Sequence, residues 1–185
     1  MRRLQERGAV PALRARRLAL AGAVAAVVIT ADQLAKAWAL RALNDGPVHV
    51  VWTLRLNLSF NSGAAFGLGK GLAPVLAPLG ILLVLALLGF GRSAATTRPG
   101  ATALGLVLGG ALGNLVDRLF GDHGGSVVDF IDLRWWPIFN IADAAISCGV
   151  VLLLVSGWWD AGRAGPAGDP DGLPTATPDG TGSRA

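Results

Sequence analysis

The sequence predicts a membrane all-α protein with a small β element, built on four transmembrane helices. Three observations predict it. Across 185 residues, 52% are hydrophobic and 15% charged, with a mean hydropathy of +0.53, too apolar for an ordinary soluble domain. Four apolar runs each approach or exceed the roughly 20 residues that a helix needs to cross a bilayer. Between the first two runs, the period of the apolar pattern changes from that of a helix to that of a strand.

Residues 1–17 carry six arginines (Arg2, Arg3, Arg7, Arg14, Arg16 and Arg17) and are expected to be a poorly ordered cytoplasmic segment. Such a basic cap ahead of an apolar run orients a membrane protein, and this argues against nucleic acid as a partner. The first span is 18–40, interrupted by charge only at Asp32 and Lys36. A cleaved signal peptide has the same beginning, but the apolar pattern continues past Asp32 and three more spans follow. Trp52, Leu54, Leu56, Leu58 and Phe60 then alternate with Thr53, Arg55, Asn57, Ser59 and Asn61, as in a strand with one apolar face. Because an open strand edge is not tolerated in lipid, this strand should lie at the interface or against protein.

Residues 72–90 form the second span, 101–116 the third and 138–159 the fourth. Gly105, Gly109, Gly110 and Gly113 predict close helix packing in the third. The membrane domain is thus 18–159, and 160–185, rich in Gly, Pro, Asp and Thr, reads as a disordered cytoplasmic tail. Four spans starting inside place both termini in the cytoplasm. Ten basic residues fall in the three inner segments and five in or beside the two outer ones, in the sense of the positive-inside rule. Trp135 and Trp136 at one end of the fourth span and Trp158 and Trp159 at the other suit interfacial belts.

This topology gathers the polar residues of the spans into one layer near the outer surface. Asp32 pairs with Lys36 at i,i+4, Asn114 shares a helix face with Asp117 and Arg118, and Asn140 shares one with Asp143. Asp129 lies in the adjoining outer segment. Ordinary structural roles exist for most of them: Asp32 with Lys36 as an ion pair, Asp117 with Arg118 as another ion pair or a helix-end cap, Asn114 and Asn140 as interhelical hydrogen-bonding groups, Asp132 as a solvated loop charge. Asp129 and Asp143 flank a membrane entry, and two carboxylates brought together in a desolvated site tend to share one proton. That is the state peptide hydrolysis requires: one carboxylate takes a proton from water while the other hydrogen-bonds the scissile carbonyl. Two histidines and the single cysteine, Cys148, leave no recognisable zinc motif, so neither a metal nor a cofactor is expected.

Five blocks, in order, resemble the lipoprotein signal peptidases (signal peptidase II). They are Asp32-Gln33-x-x-Lys36, Asn61-x-Gly63-x-x-Phe66-Gly67, Gly109-Gly110-x-x-Gly113-Asn114-x-x-Asp117-Arg118, Val127-Val128-Asp129-Phe130 and Phe139-Asn140-x-Ala142-Asp143. The resemblance implies four helices with an outer-face β cradle in the bacterial cytoplasmic (inner) membrane. It implies an aspartic endopeptidase that cleaves lipid-modified prolipoproteins before a diacylglyceryl cysteine and is inhibited by the cyclic peptide globomycin. Asp129 and Asp143 match the catalytic aspartates; Asp32, Lys36, Asn61, Asn114, Asp117, Arg118 and Asn140 match residues that shape or support the site.

Three other readings compete. A proton-coupled transporter would use Asp32, Lys36 and Asp143 as a relay, but it calls for ionisable groups at several depths. A non-catalytic assembly factor would tolerate Asp→Asn changes. A serine enzyme built on Ser59 or Ser62 with Lys36 lacks the Gly-x-Ser-x-Gly elbow.

Overall fold

The computed structural model describes residues 2–63 and 73–163. The elements run α1 (Arg2–Ala42), β1 (Val48–Val51), β2 (Leu54–Asn61), α2 (Ala73–Ala94), α3 (Arg98–Phe120), β3 (Val127–Asp132) and α4 (Ile141–Arg163). The expected tail beyond Arg163 and the Ala64–Gly67 part of the second sequence block lie outside the described residues. Helix α1 begins at Arg2, not near residue 18, so the arginine-rich segment continues the first span as helix. Its Ala, Leu, Arg and Glu content is that of strong helix formers.

Among the described residues, three helical stretches are long and apolar enough to cross a membrane: Ala12–Ala42, Arg98–Phe120 and Ile141–Trp158. The fourth helix, α2, carries a shorter apolar stretch, Val75–Gly89. Helix α3 is central and packs on α1, α4 and α2. It starts three residues earlier than its apolar run because Thr97 caps it, its side chain accepting from the Gly100 N–H at 3.1 Å, with Pro99 in the first turn where its missing N–H costs nothing. The glycines predicted to pack closely do so: a Cβ on Gly109 would lie 2.8 Å from the Val28 Cβ of α1, and one on Gly110 would meet the Ala142 carbonyl oxygen of α4 and stand 2.7 Å from Ile146. Gly110→Ala is therefore expected to push the start of α4, and Asp143 with it, away from α3. We expect at least a tenfold loss of catalytic activity, with Gly22→Ala, whose Cβ would meet nothing within 4 Å, as the silent control.

The three strands form one antiparallel sheet in the order β1-β2-β3. The predicted strand is β2, joined to β1 by a hairpin whose turn contains Trp52 at φ 56°. Leu56 and Leu58 pack, as Ala35 of α1 does, on a cluster of Ala39 of α1, Leu43 just beyond its end and Phe130, so the apolar face of the sheet lies against the end of the first span. Strand β3 was not expected. All of Val127, Val128, Asp129 and Phe130 are buried, so the two-residue alternation that marks a half-exposed strand is missing. Asp132 is a correction of a different kind: it is a buried strand residue, not a solvated loop charge. It meets Arg55 Nε at 2.6 Å, Asn57 Nδ2 at 3.3 Å and the Arg134 N–H at 2.7 Å. Burial raises its carboxyl, but those hydrogen bonds and the Arg55 charge outweigh it and hold Asp132 below the usual carboxylate value.

Candidate active site

The first turn of α4 is built around Asn140 and Asp143. Asn140 is the residue before the helix, and its side-chain oxygen accepts from the Asp143 N–H at 2.9 Å, while the Asp143 carboxylate accepts from the Asn140 N–H at 3.3 Å. This is a capping box with Asn and Asp in place of the commoner Ser and Glu, and it fixes Asp143 at the positive end of the helix. Asp32 satisfies the next orphan donor, accepting from the Ala142 N–H at 2.9 Å. Asp32 and Asp143, both carboxylates within apolar spans, therefore secure the entry of α4.

Asp129 comes from β3 and is only 2% exposed. One of its oxygens accepts from Asn61 Nδ2 at 3.0 Å and the other from Asn140 Nδ2 at 2.7 Å. Antiparallel pairing places Asn61 opposite Val127, so it reaches Asp129 diagonally across the sheet. Asn140 thus touches both aspartates, and Asn114 Nδ2 holds the other Asp143 oxygen at 2.8 Å. Burial, reinforced by the Asp143 charge, pushes the Asp129 carboxyl from 3.8 up to about 7; the bonds from Asn61 and Asn140 and the Lys36 charge oppose the rise.

Behind the pair lies a second layer centred on Lys36. Its ammonium meets Asp32 at 2.7 Å, Asp117 at 2.9 Å and Asn114 Oδ1 at 3.1 Å, so all three of its protons have acceptors. Asp117 also accepts from the Val128 N–H at 3.0 Å, the residue before Asp129. The expected ion pair between Asp117 and Arg118 is not formed. One helix position, about 100° of rotation, turns Asp117 toward α1 and β3 and Arg118 toward the cavity. There the Arg118 guanidinium contacts the Gly63 and Asn114 carbonyls at 3.5 Å, and its buried Nε has no hydrogen-bond partner among the described residues. Sequence reasoning gave Gln33 no role. It donates to Asp117 at 2.9 Å and to the Gly113 carbonyl at 3.1 Å, tying α1 to α3; its place beside Asp32 on a helix that must face α3 was the available signal.

Asp129 and Asp143 line one cavity of about 550 Å³. Its other walls are the end of β2 from Ser59 to Gly63, Asn114 and Arg118 of α3, the segment from Trp136 to Phe139, and Ile146 and Ser147 of α4. Phe60 on this rim stacks on His123 at 4.6 Å between ring centroids. Of the nine residues singled out from the sequence, Asn61, Asn114, Arg118, Asp129 and Asp143 line the cavity, while Asp32, Lys36, Asp117 and Asn140 hydrogen-bond to one another or to the elements that carry them.

Residues 24–159 match the family described as signal peptidase (SPase) II. The chain belongs to the signal peptidase II family. Among its relatives, the lipoprotein signal peptidase of Rhodococcus jostii is 42% identical over 71% of this chain and 69% of its own length. That of Mycolicibacterium smegmatis is 43% identical over 78% of this chain and 63% of its own, and that of Syntrophomonas wolfei 39% identical over 70% and 86%. A bacterial membrane enzyme solved by the in meso method at 2.3 Å resolution superimposes with a TM-score of 0.71 at 28% identity, covering 80% of this chain and 92% of that one. A second, at 1.9 Å resolution, gives 0.66 at 30% identity over 76% and 93%. As a signal peptidase II the protein is an aspartic peptidase of multi-pass membrane architecture.

Proposed function

We propose that the protein removes signal peptides from diacylglyceryl-modified prolipoproteins, cutting before the lipidated cysteine, with Asp129 and Asp143 as the catalytic pair. The observation that carries this is the meeting of both carboxylates, from different elements, on one cavity through the shared Asn140. The environment favours Asp129 as the holder of the shared proton, since burial raises it. Asp143, which accepts hydrogen bonds from Asn114 and from an N–H at the start of α4, is then the member that receives the water's proton. Asp143 then takes a proton from a water whose oxygen attacks the scissile carbonyl carbon, while the Asp129 proton passes to the carbonyl oxygen. The gem-diol collapses as one of its protons returns to Asp129, the C–N bond breaks, and the proton on Asp143 goes to the leaving amine. Arg118, at the cavity wall and with a buried Nε that has no partner among the described residues, offers donors to substrate backbone carbonyls.

The distribution of basic residues supports a bacterial cytoplasmic (inner) membrane protein with both termini in the cytoplasm and the site near the outer face. Membrane lipid surrounds the helices, and globomycin is the inhibitor implied by family resemblance. In a gel-shift assay, a lipidated prolipoprotein should be cleaved and globomycin should stop the cleavage. The same precursor without its diacylglycerol should be turned over at least tenfold more slowly. Equal turnover of the two precursors would remove lipid recognition from the function.

A further inference from the structure

The β1–β2 hairpin points away from the cavity, and nothing in the catalytic chemistry accounts for its tip. Trp52 stands at the turn, 95% exposed and at φ 56°, a backbone conformation that suits glycine and not a bulky aromatic. A turn chosen for folding alone would place a small residue here. Val48, Val50 and Val51 beside it are each about half exposed or more, at 48%, 52% and 65%. The turn thus presents a cluster of large apolar side chains outward.

Its surroundings identify what covers it. Leu56 and Leu58 of β2 pack on the cluster of Ala39, Leu43 and Phe130, so the sheet lies at the depth of the last turns of a membrane-crossing helix. That helix carries an outward stripe of Val27, Leu34 and Trp38 at spacings of seven and four, which is its lipid-facing side. Because Arg55 pairs with Asp132 in the sheet, the hairpin tip lies at the same end of the sheet as the exposed Arg134 and Trp135. Tryptophans with apolar bodies and a polar N–H, accompanied by an arginine, are what the glycerol and headgroup layer selects.

We propose that the Trp52 hairpin tip seats in the glycerol and headgroup layer of the bilayer, fixing the height of the sheet. Strand β2 runs from that tip to Asn61, the partner of Asp129, so the anchor sets the level of the cavity over the membrane. The inference rests on the membrane-crossing helices and not on the catalytic assignment, and its primary test reads no activity.

The test places an environment-sensitive nitrobenzoxadiazole label on Trp52→Cys in a Cys148→Ala background, reconstituted in phosphatidylcholine/phosphatidylglycerol vesicles. Quenching by lipids with a nitroxide high on the acyl chain should be at least twofold stronger than by lipids with it near the chain end, and aqueous iodide should quench weakly. A label open to iodide and insensitive to both lipids overturns the proposal. So does lipid quenching that is absent at high protein density and appears only on diluting protein into excess lipid, which would mean that a second copy covers the tip. Trp52→Gly relieves the backbone at 56° and keeps the fold intact, giving a second measurement on unlabelled protein. It should lose part of the tryptophan quenching by brominated lipids seen in the wild type; an unchanged quenching profile also overturns the proposal. A several-fold rise in KM for vesicle-embedded prolipoprotein, with kcat held, would then link the anchor to cleavage.

Discussion

Asp129→Asn and Asp143→Asn are each expected to lower kcat for prolipoprotein cleavage by about 10²–10⁴-fold while the protein still inserts and keeps its helix content. Each removes one half of an acid–base pair, so the double variant should be little worse than either single one. The pH dependence separates this from a structural effect. The shared proton must be present, and Asp129 surrenders it as pH rises through about 7, so kcat should fall across that value. Stability has its own sign. Folding raises the Asp129 carboxyl from 3.8 to about 7, so between those values the folded chain binds more protons than the unfolded one. This contribution is fully present below 3.8 and is lost as pH rises to about 7. Thermal unfolding of Asp129→Asn followed from pH 4 to pH 8 should lack that decline. Undiminished turnover in either single variant would end the aspartic mechanism for these two residues.

Much of the site was legible in the sequence for a simple reason. Charged groups and amides are so costly within apolar runs that Asp32, Lys36, Asn114, Asp143 and their neighbours stand out against the background. Helix phase then placed them on shared faces. The same reasoning failed where cost does not separate the options. Asp132 looked solvated because nothing in the local pattern reveals that Arg55, 77 positions earlier, neutralises it across the sheet. β3 was invisible because burial on both faces erases alternation. Asp117 and Arg118 were paired on adjacency, although consecutive helix residues point in different directions. Trp52 was counted with the apolar face of a strand, whereas the hairpin puts it at the turn.

The family match and the geometry support different parts of the reading. Similarity shows which chemistry the chain belongs to. The hydrogen bonds show how this chain holds its acids: a capping box on α4, a diagonal cross-strand amide on β3, and one amide, Asn140, joining them. Asn140 has no exposed surface and donates toward Asp129, Asn114 and the Val128 carbonyl, so its orientation is determined by more acceptors than it has protons. A side chain held that firmly sets the separation of the two carboxylates without touching the reacting bond.

Lys36→Met is the substitution expected to damage the fold most. The ammonium is 2% exposed and is the cation common to Asp32 and Asp117, so its removal leaves two buried carboxylates facing each other without a counter-charge. Breaking a buried pair in this way costs about 3–5 kcal/mol. The damage is not confined to α1, because each acid has a second duty: Asp32 caps α4 through the Ala142 N–H, and Asp117 holds the Val128 N–H beside Asp129. Unfolding in detergent micelles should therefore shift to markedly lower temperature, and cleavage should fall even in the fraction that stays folded. Lys36→Arg should not rescue it, since three acceptors converge on a single atom, and a planar guanidinium cannot occupy that point. Combining Lys36→Met with Asp32→Asn should recover part of the lost stability, because the amide oxygen can still accept from Ala142 while one uncompensated charge disappears. A double variant no more stable than Lys36→Met alone would show that the cost lies in lost packing and not in unbalanced charge.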